Sequence, residues 1–243
     1  MTRHSLRFLV ALVTSAAVLA TACSSGAATP AAKATASQGA AGGAAPAAAG
    51  ASAAGGSAGA TSAAGGCPTA APPPLPAGQT RTVTIETSAG KIVVKLEASL
   101  GPRAAGNFVA LAACGYFSNV IFHRLVPGFV IQGGDGEFGR MPAVDVAHVG
   151  QGGPGYAFRD DPVTVPYSRG IVAMANSGPN TNGSQFFIVL ADAGLPPSYS
   201  VFGHVTAGMD VVDKIAAMPN NGNRYGNQPV QPVAMISVTV ATP

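Results

Sequence analysis

The chain has 243 residues, of which 47% are hydrophobic and only 9% are charged. Its formal net charge of +3 comes from Arg3, Arg7 and Lys33, because the other ten of its 13 basic residues are matched by ten acidic ones after position 80. This balance excludes the basic face that nucleic-acid binding requires.

Residues 1–22 have the layout of a secretory signal. A basic start precedes an apolar run from Phe8 to Ala20, which is shorter than the ~20 residues that span a bilayer. Small residues before Cys23 resemble the lipobox of bacterial lipoproteins, in which that cysteine is acylated. We expect an exported protein held at the cell membrane by lipid and facing outside the cytoplasm. The alternative is cleavage after Ala22 and free secretion.

Residues 23–79 consist mainly of Ala, Gly, Ser, Thr and Pro, with no aromatic residue and a single charge. Such a segment has too few large apolar side chains to offset the entropy of ordering, so it predicts a disordered tether. Pro72-Pro73-Pro74 predicts a stiffer stretch that leads into the domain. If Cys23 carries lipid, Cys67 and Cys114 remain as a possible disulfide of an exported protein.

Residues 80–243 carry the patterns of a folded domain. Alternating apolar residues at 82–87 and 91–97 predict a hairpin with one face inward. Apolar residues at helical spacing predict a short helix that begins at Pro102 and ends near Gly115.

The stretch Ile121–Asp135 predicts a second hairpin, which turns at Pro127-Gly128. Arg124, His123 and Gln132 are polar residues in otherwise apolar strands, so they either pair across the hairpin or line a site. Arg124 taken alone is compatible with a structural arginine paired to a carboxylate. His123 alternates to the opposite strand face, which predicts a packed, hydrogen-bonded histidine and not a catalytic base.

The rest of the domain predicts a long polar loop at 136–153, then several strands and one short helix. The strands are expected at 171–175, 184–190, 201–205 and 235–240, and the helix at 210–218. Both faces of the strand at 184–190 are apolar apart from Gln185, so one face should pack into the core and the other line a groove. Many short strands with only two short helices predict a mainly β fold, a closed antiparallel barrel.

Several blocks of the domain resemble the cyclophilin family of peptidyl-prolyl cis–trans isomerases and occur in the family's order. They are Phe122-His123-Arg124, Pro127-Gly128-Phe129, Gln132-Gly133-Gly134-Asp135, Gly153-Pro154-Gly155-Tyr156, Met174 to Ile188 and Val201-Phe202-Gly203. The resemblance runs from about residue 81 to the C-terminus. It implies an eight-stranded antiparallel β-barrel capped by two α-helices, and an isomerase that uses no cofactor or metal.

The resemblance also implies roles for single residues. Arg124 matches the catalytic arginine, and Gln132 matches the glutamine that helps to orient it. The substrate-binding positions are Phe129, Val130 and Phe187 as walls of the proline pocket, Ala175, Asn176 and Gln185 along the groove, Leu195 as an apolar pocket residue, and Tyr199, where many members have histidine. Loop 136–149 is longer than the same loop in short bacterial members. The sequence leaves open whether this loop overhangs the rim of the groove. The implied substrates are proline-containing segments of exported proteins, and we expect a monomer.

Other chemistries find little support in the sequence. His148 and His204 have no Cys or His neighbour at metal-ligand spacing, so no metal site is expected. Ser184 has no evident His and Asp partners for hydrolase chemistry. The alternative to an enzyme is a non-catalytic proline-peptide-binding module or holdase at the cell surface, and retention of Arg124 and Gln132 favours the enzyme.

Overall fold

A computed structural model describes residues 66–222 and 227–241. The signal segment 1–22, Cys23 and the tether as far as residue 65 lie outside the described residues. Within the described ranges, no helix has the length and apolar character needed to cross a membrane.

Eight strands and two helices build the described domain. The strands are β1 (Thr80–Thr87), β2 (Gly90–Glu97), β3 (Val120–Val126), β4 (Val130–Gly133), β5 (Ile171–Met174), β6 (Phe186–Val189), β7 (Val201–Ala207) and β8 (Ala234–Val240). The helices are α1 (Pro102–Ala113) and α2 (Met209–Ala216). Each lies where the sequence predicts it, with shifted ends. The strand expected from Ser184 begins at Phe186, because its partner β4 ends at Gly133 and the left-handed Gly134 (φ 93°) turns the chain away.

The strands close into a barrel in the order β1-β2-β7-β5-β6-β4-β3-β8. Every neighbouring pair is antiparallel, and β1 pairs with both β2 and β8 to complete the circle. Closure leaves the sheet without a free edge. The predicted mainly β fold, a closed eight-stranded antiparallel barrel with two helices, is confirmed.

Two apolar clusters occupy opposite faces of the sheet. The larger cluster contains side chains from all eight strands and both helices. Side chains from every strand can meet only inside the barrel, so this cluster is the interior core. On β6, Phe186 and Ile188 belong to this interior, whereas Phe187 and Val189 belong to the smaller cluster outside. The alternation along β6 therefore separates core from outer surface, as the two apolar faces of this strand predict.

Residues 67–79, which we call the strap, pack against α1. Leu75 is only 6% exposed and joins the interior cluster, and its N–H donates to the carbonyl of Pro102 (2.8 Å). A Cβ at Gly106 of the helix would lie 2.3 Å from the carbonyl oxygen of Pro73, so a larger residue there would push the strap away.

The strap is also held covalently. Cys67 forms a disulfide with Cys114, the residue at the C-terminal end of α1, with 5.2 Å between their Cα atoms. The ordered domain therefore begins before residue 80, the boundary expected from composition. Composition does not reveal this boundary, because the average composition of residues 67–79 is that of a tether. The stretch is ordered by one buried leucine and one disulfide.

Candidate active site

A pocket of about 260 Å³ opens on the outer face of the barrel. It contains every residue that the resemblance assigned to catalysis or substrate binding, except Gln185. Its lining residues are Arg124, Phe129, Val130, Gln132, Ala175, Asn176, Phe187, Leu195 and Tyr199. Residues from β3 to the 195–199 loop thus meet at one place, although they are far apart in sequence.

Strand register places the polar and apolar groups of this pocket side by side. Arg124 on β3 lies opposite Gln132 on β4, and Gln132 lies opposite Phe187 on β6. Val130, two residues before Gln132, shares its strand face because side chains alternate. Directly opposed residues have their Cβ atoms within contact distance. The ladder therefore sets an arginine and a glutamine beside an apolar wall.

A one-directional chain of hydrogen bonds fixes the polar side of the pocket. The Nη1 of Arg124 donates to Oε1 of Gln132 (3.3 Å), and Nε2 of Gln132 donates to Oε1 of Gln185 (3.0 Å). Nε2 of Gln185 then donates to the carbonyl oxygen of Gly152 (2.9 Å). Each amide uses its oxygen toward Arg124 and its nitrogen away from it, so a rotation of either amide would break two bonds.

Arg124 is a half-buried cation without a carboxylate partner among the ion pairs of the described residues. Burial lowers the pKa of its guanidinium from the ordinary value, but arginine stays protonated in proteins at neutral pH. The alternative of a structural arginine paired to an acid therefore finds no partner there. Its charge remains directed to the pocket.

Tyr167 supports the aromatic wall, and sequence reasoning missed it. This residue is 3% exposed, and its hydroxyl donates to the carbonyl of Tyr199 and accepts from the N–H of Tyr199, both at 2.9 Å. The ring of Tyr199 meets that of Phe187 edge-on, with 5.6 Å between centroids. The one signal in the sequence is an isolated aromatic residue within a proline-containing loop.

A second pocket of about 230 Å³ adjoins the first and contains Gln185. It shares Gln132, Ala175 and Asn176 with the first pocket. Asn176 braces the neighbouring loops, because its Nδ2 donates to the carbonyl of Ser198 (2.8 Å) and its Oδ1 accepts from the N–H of Gly178 (3.3 Å).

Loop 136–149 lines neither of these two pockets. Arg140 donates to the carbonyl of Tyr116 (2.7 Å), which ties the loop to the turn after α1. The residues that follow it, 150–153, do line the second pocket. Residues 150–153 therefore form this part of the groove rim, and loop 136–149 does not overhang it.

His123 is buried, as predicted, but the predicted hydrogen bond is wrong. Neither ring nitrogen has a hydrogen-bond partner among the described residues. The nearby Gln185 amide directs its bonds to Gln132 and Gly152 instead. Burial lowers the pKa of His123 to about 4. The charge of Asp135 opposes this shift, and the charge of Arg124 adds to it to a smaller extent. The ring is therefore neutral at physiological pH.

Each of the two histidines considered as metal ligands lies beside a single carboxylate. His148 lies 2.7 Å from the carboxylate of Asp145, and His204 lies 3.9 Å from Glu97. In residues 66–222 and 227–241, no cluster of three or more His, Cys, Asp or Glu side chains is placed to hold a metal ion.

Comparison with known proteins gives relatives over the same part of the chain. The family model described as cyclophilin type peptidyl-prolyl cis-trans isomerase/CLD matches residues 82–240. A peptidyl-prolyl cis-trans isomerase-like 1 of Gibberella zeae is 34% identical over 167 residues, which cover 66% of this chain and 95% of that protein. Peptidyl-prolyl cis-trans isomerase CYP18-2 of Arabidopsis thaliana is 36% identical over 171 residues, 68% of this chain and 96% of that protein. The chain spans only 27% of the longer peptidyl-prolyl cis-trans isomerase-like 2 of Cryptococcus neoformans, at 39% identity.

Solved structures agree with the fold. The crystal structure of a cyclophilin type peptidyl-prolyl cis-trans isomerase from Cryptosporidium parvum has a TM-score of 0.59 and 32% identity, and the match covers 68% of this chain and 99% of that one. The same protein in the presence of the dipeptide ala-pro has a TM-score of 0.58. These relatives are eukaryotic, so they lend no support to a bacterial lipoprotein assignment. Sequence, barrel and family model agree over one continuous region, and the chain belongs to the cyclophilin-type peptidyl-prolyl cis–trans isomerase family.

Proposed function

We propose that the domain accelerates cis–trans rotation about X–Pro peptide bonds. The observation that carries this proposal is a charged arginine, oriented by the two glutamine amides, at the side of an apolar pocket. Membership of the cyclophilin family supports the same reaction. The alternative of a module that binds proline peptides without turnover explains the pocket but gives the oriented cation no task.

Arg124 supplies the electrostatic part of the reaction. Resonance across the C–N bond creates the rotation barrier of ~18–20 kcal/mol. The resonance is lost when the bond is twisted, and the prolyl nitrogen then regains a lone pair that accepts a hydrogen bond. A donor aimed at this nitrogen stabilises the twisted state more than either planar state, which is the requirement for catalysis.

The apolar walls supply the grip. Phe129, Val130 and Phe187 hold the proline ring, with Leu195 and Tyr199 completing the pocket. Because the ring is held and the preceding carbonyl is free, rotation occurs on one side of the bond. Ala175, Asn176 and Gln185 contact the substrate backbone along the groove. None of these steps uses a nucleophile or a cofactor.

We also propose the location that the N-terminal sequence predicts, an exported protein anchored by lipid at Cys23. The Cys67–Cys114 disulfide supports export, because disulfides persist mainly in oxidising compartments outside the cytoplasm. The substrates are then proline-containing segments of other exported proteins that fold nearby.

The test is an isomerisation assay on a short X–Pro peptide. We expect the wild-type protein to accelerate the reaction and Arg124→Ala to lose about 100-fold or more of kcat/KM, a loss comparable to removal of an oxyanion-hole donor. Arg169→Ala is the matched control, because this arginine pairs with Asp213 away from the pocket and should leave the rate unchanged. Binding of the peptide without acceleration by folded wild-type protein would favour the binding module.

A further inference from the structure

Asp135, two residues after the end of β4, is a fully buried carboxylate surrounded by backbone donors. Its Oδ1 accepts hydrogen bonds from the N–H groups of Glu137 (3.1 Å) and Phe138 (2.9 Å). Its Oδ2 accepts from the N–H groups of Gly150 (2.7 Å) and Gly152 (3.0 Å). The residue is 0% exposed, and the described ion pairs do not include it. A charge buried in this way is stable only because charge-assisted hydrogen bonds replace its water.

We propose that Asp135 is a positioning residue for Arg124, acting through the backbone of Gly152. The N–H of Gly152 is held by Asp135, and its carbonyl accepts the amide of Gln185. Gln185 in turn orients Gln132, which accepts from Arg124. This inference rests on the proposed function, since it concerns how the catalytic donor is kept in place.

The carboxylate fixes Gly152 closely enough for this task. A Cβ added at Gly152 would lie 2.4 Å from Oδ1 of Asp135 and 2.7 Å from Cβ of Glu137. The backbone at Gly152 therefore lies directly against the carboxylate, which holds the residue whose carbonyl accepts from Gln185. Two of the four donors lie at the start of loop 136–149 and two lie just after its end, so Asp135 also closes that loop.

A loop-closing role and a positioning role predict different kinetics. If Asp135 only closes the loop, its replacement lowers stability and leaves the folded enzyme unchanged. If it positions Arg124, its replacement releases Gln185 and then Gln132, and the guanidinium samples orientations away from the prolyl nitrogen. Misplacement of a donor used only in the transition state lowers kcat while KM stays nearly constant.

The first experiment compares Asp135→Asn with Asp161→Asn. Asp161 is the matched control, because it is another buried carboxylate (2% exposed) with a backbone partner, the N–H of Ala104. We expect Asp135→Asn to lose about tenfold in kcat with KM within about twofold. Asp161→Asn should show a lower melting temperature with an unchanged kcat. Equal kcat values in both variants would overturn the proposal.

The second experiment tests the path through the amides. In a Gln185→Ala background, Asp135→Asn should change kcat by less than about twofold, because residues that act through one another are not additive. An undiminished tenfold loss in that background would overturn the relay. If Asp135→Asn fails to fold, Gly152→Ala displaces the same contact while keeping the charge, and it should lower kcat in the same way. An unchanged kcat in folded Gly152→Ala would refute the proposal.

A readout independent of turnover separates this inference from the proposed function. The side-chain amide signals of Gln132 and Gln185 in a nitrogen–proton NMR spectrum should shift in Asp135→Asn and stay in place in Asp161→Asn. Unmoved signals would refute the positioning role even in an active enzyme. An inactive wild-type protein whose amide signals respond to Asp135→Asn would refute the proposed function and leave the relay standing.

Discussion

Adjacent residues 123 and 124 illustrate how one strand supplies both a buried side chain and a side chain of the pocket. Arg124 faces the outer pocket and stays charged, whereas His123 is 4% exposed and lacks a hydrogen-bond partner among the described residues. Each ring nitrogen of a histidine that leaves water without a partner carries a desolvation cost. The same ring therefore makes folding sensitive to pH, although it takes no part in the proposed reaction.

We predict a pH effect on stability that belongs to His123. Its pKa of about 4 lies below the ordinary 6.5, so the unfolded chain binds the proton first on acidification. The stability linked to neutral His123 is complete above about pH 6.5 and is lost as the pH falls to about 4, on the order of 3 kcal/mol. The charges of Asp135 and Arg124 act in opposite directions on this pKa, because Asp135 raises it and Arg124 lowers it.

Urea unfolding between pH 7 and pH 4 checks this prediction against His123→Phe. A phenyl ring fills similar space and loses no hydrogen bond, so the variant should lose less stability on acidification than the wild type. Carboxylates titrate in both proteins, and the comparison cancels their contribution. Parallel pH profiles of the two proteins would contradict the assignment to His123.

The sequence was sufficient to predict the site residues that lie in recognisable motifs. It was insufficient to predict residues that contribute only through contacts with distant parts of the fold. Arg124 and Gln132 stood out as polar residues in the two apolar strands of one hairpin, and the family resemblance supplied their roles. Tyr167 and Gly152 were missed because they act on residues 32 and 33 positions away, Gly152 through its backbone carbonyl. A backbone carbonyl has no sequence signature, so only the folded chain reveals its role.

At the scale of elements, the strap and α1 behave as one unit. The helix offers the small Gly106 where the strap crosses it, and Leu75 fills the adjoining core. The strands and helices were predictable because their apolar periodicity is strong. The strap was not, because polyproline and alanine have no periodicity and its order comes from tertiary contacts.

We predict that the strap disulfide contributes strongly to stability. Cys67 and Cys114 are separated by 47 positions, and closing a loop of that length lowers the entropy of the unfolded chain by an amount equivalent to about 4 kcal/mol. Reductant should therefore lower the unfolding midpoint in urea of the wild type. The double variant Cys67→Ser and Cys114→Ser should show the lower midpoint with or without reductant. An unchanged midpoint after reduction, verified by alkylation mass, would contradict the prediction.

At the scale of the whole molecule, the barrel separates stability from function. The interior cluster draws on every strand, while the proposed site uses side chains on the outer face. Arg124 belongs to neither apolar cluster, so its replacement leaves the interior cluster intact. This arrangement explains why Arg124→Ala is expected to remove most of the turnover without unfolding the protein.

The proposed anchor is tested on the complete chain in cells. Cys23→Ser removes the acylation site, so we expect the protein to move from the membrane fraction to the soluble exported fraction. Cys67→Ser is the control, because it also replaces a cysteine by serine but leaves the proposed lipid site intact. Retention of Cys23→Ser in the membrane fraction would contradict the lipid anchor.

The disulfide at Cys67 also determines how a mechanical force would pass through the molecule. A pull on the chain before Cys67 reaches the covalent bond to Cys114 first, and it enters the barrel assembly at the end of α1. The strap residues after Cys67 lie within the closed covalent loop, so Leu75 and its neighbours are not peeled from the helix. A force applied through the chain before Cys67 would therefore act on the disulfide-linked end of α1 and not on the outer pocket.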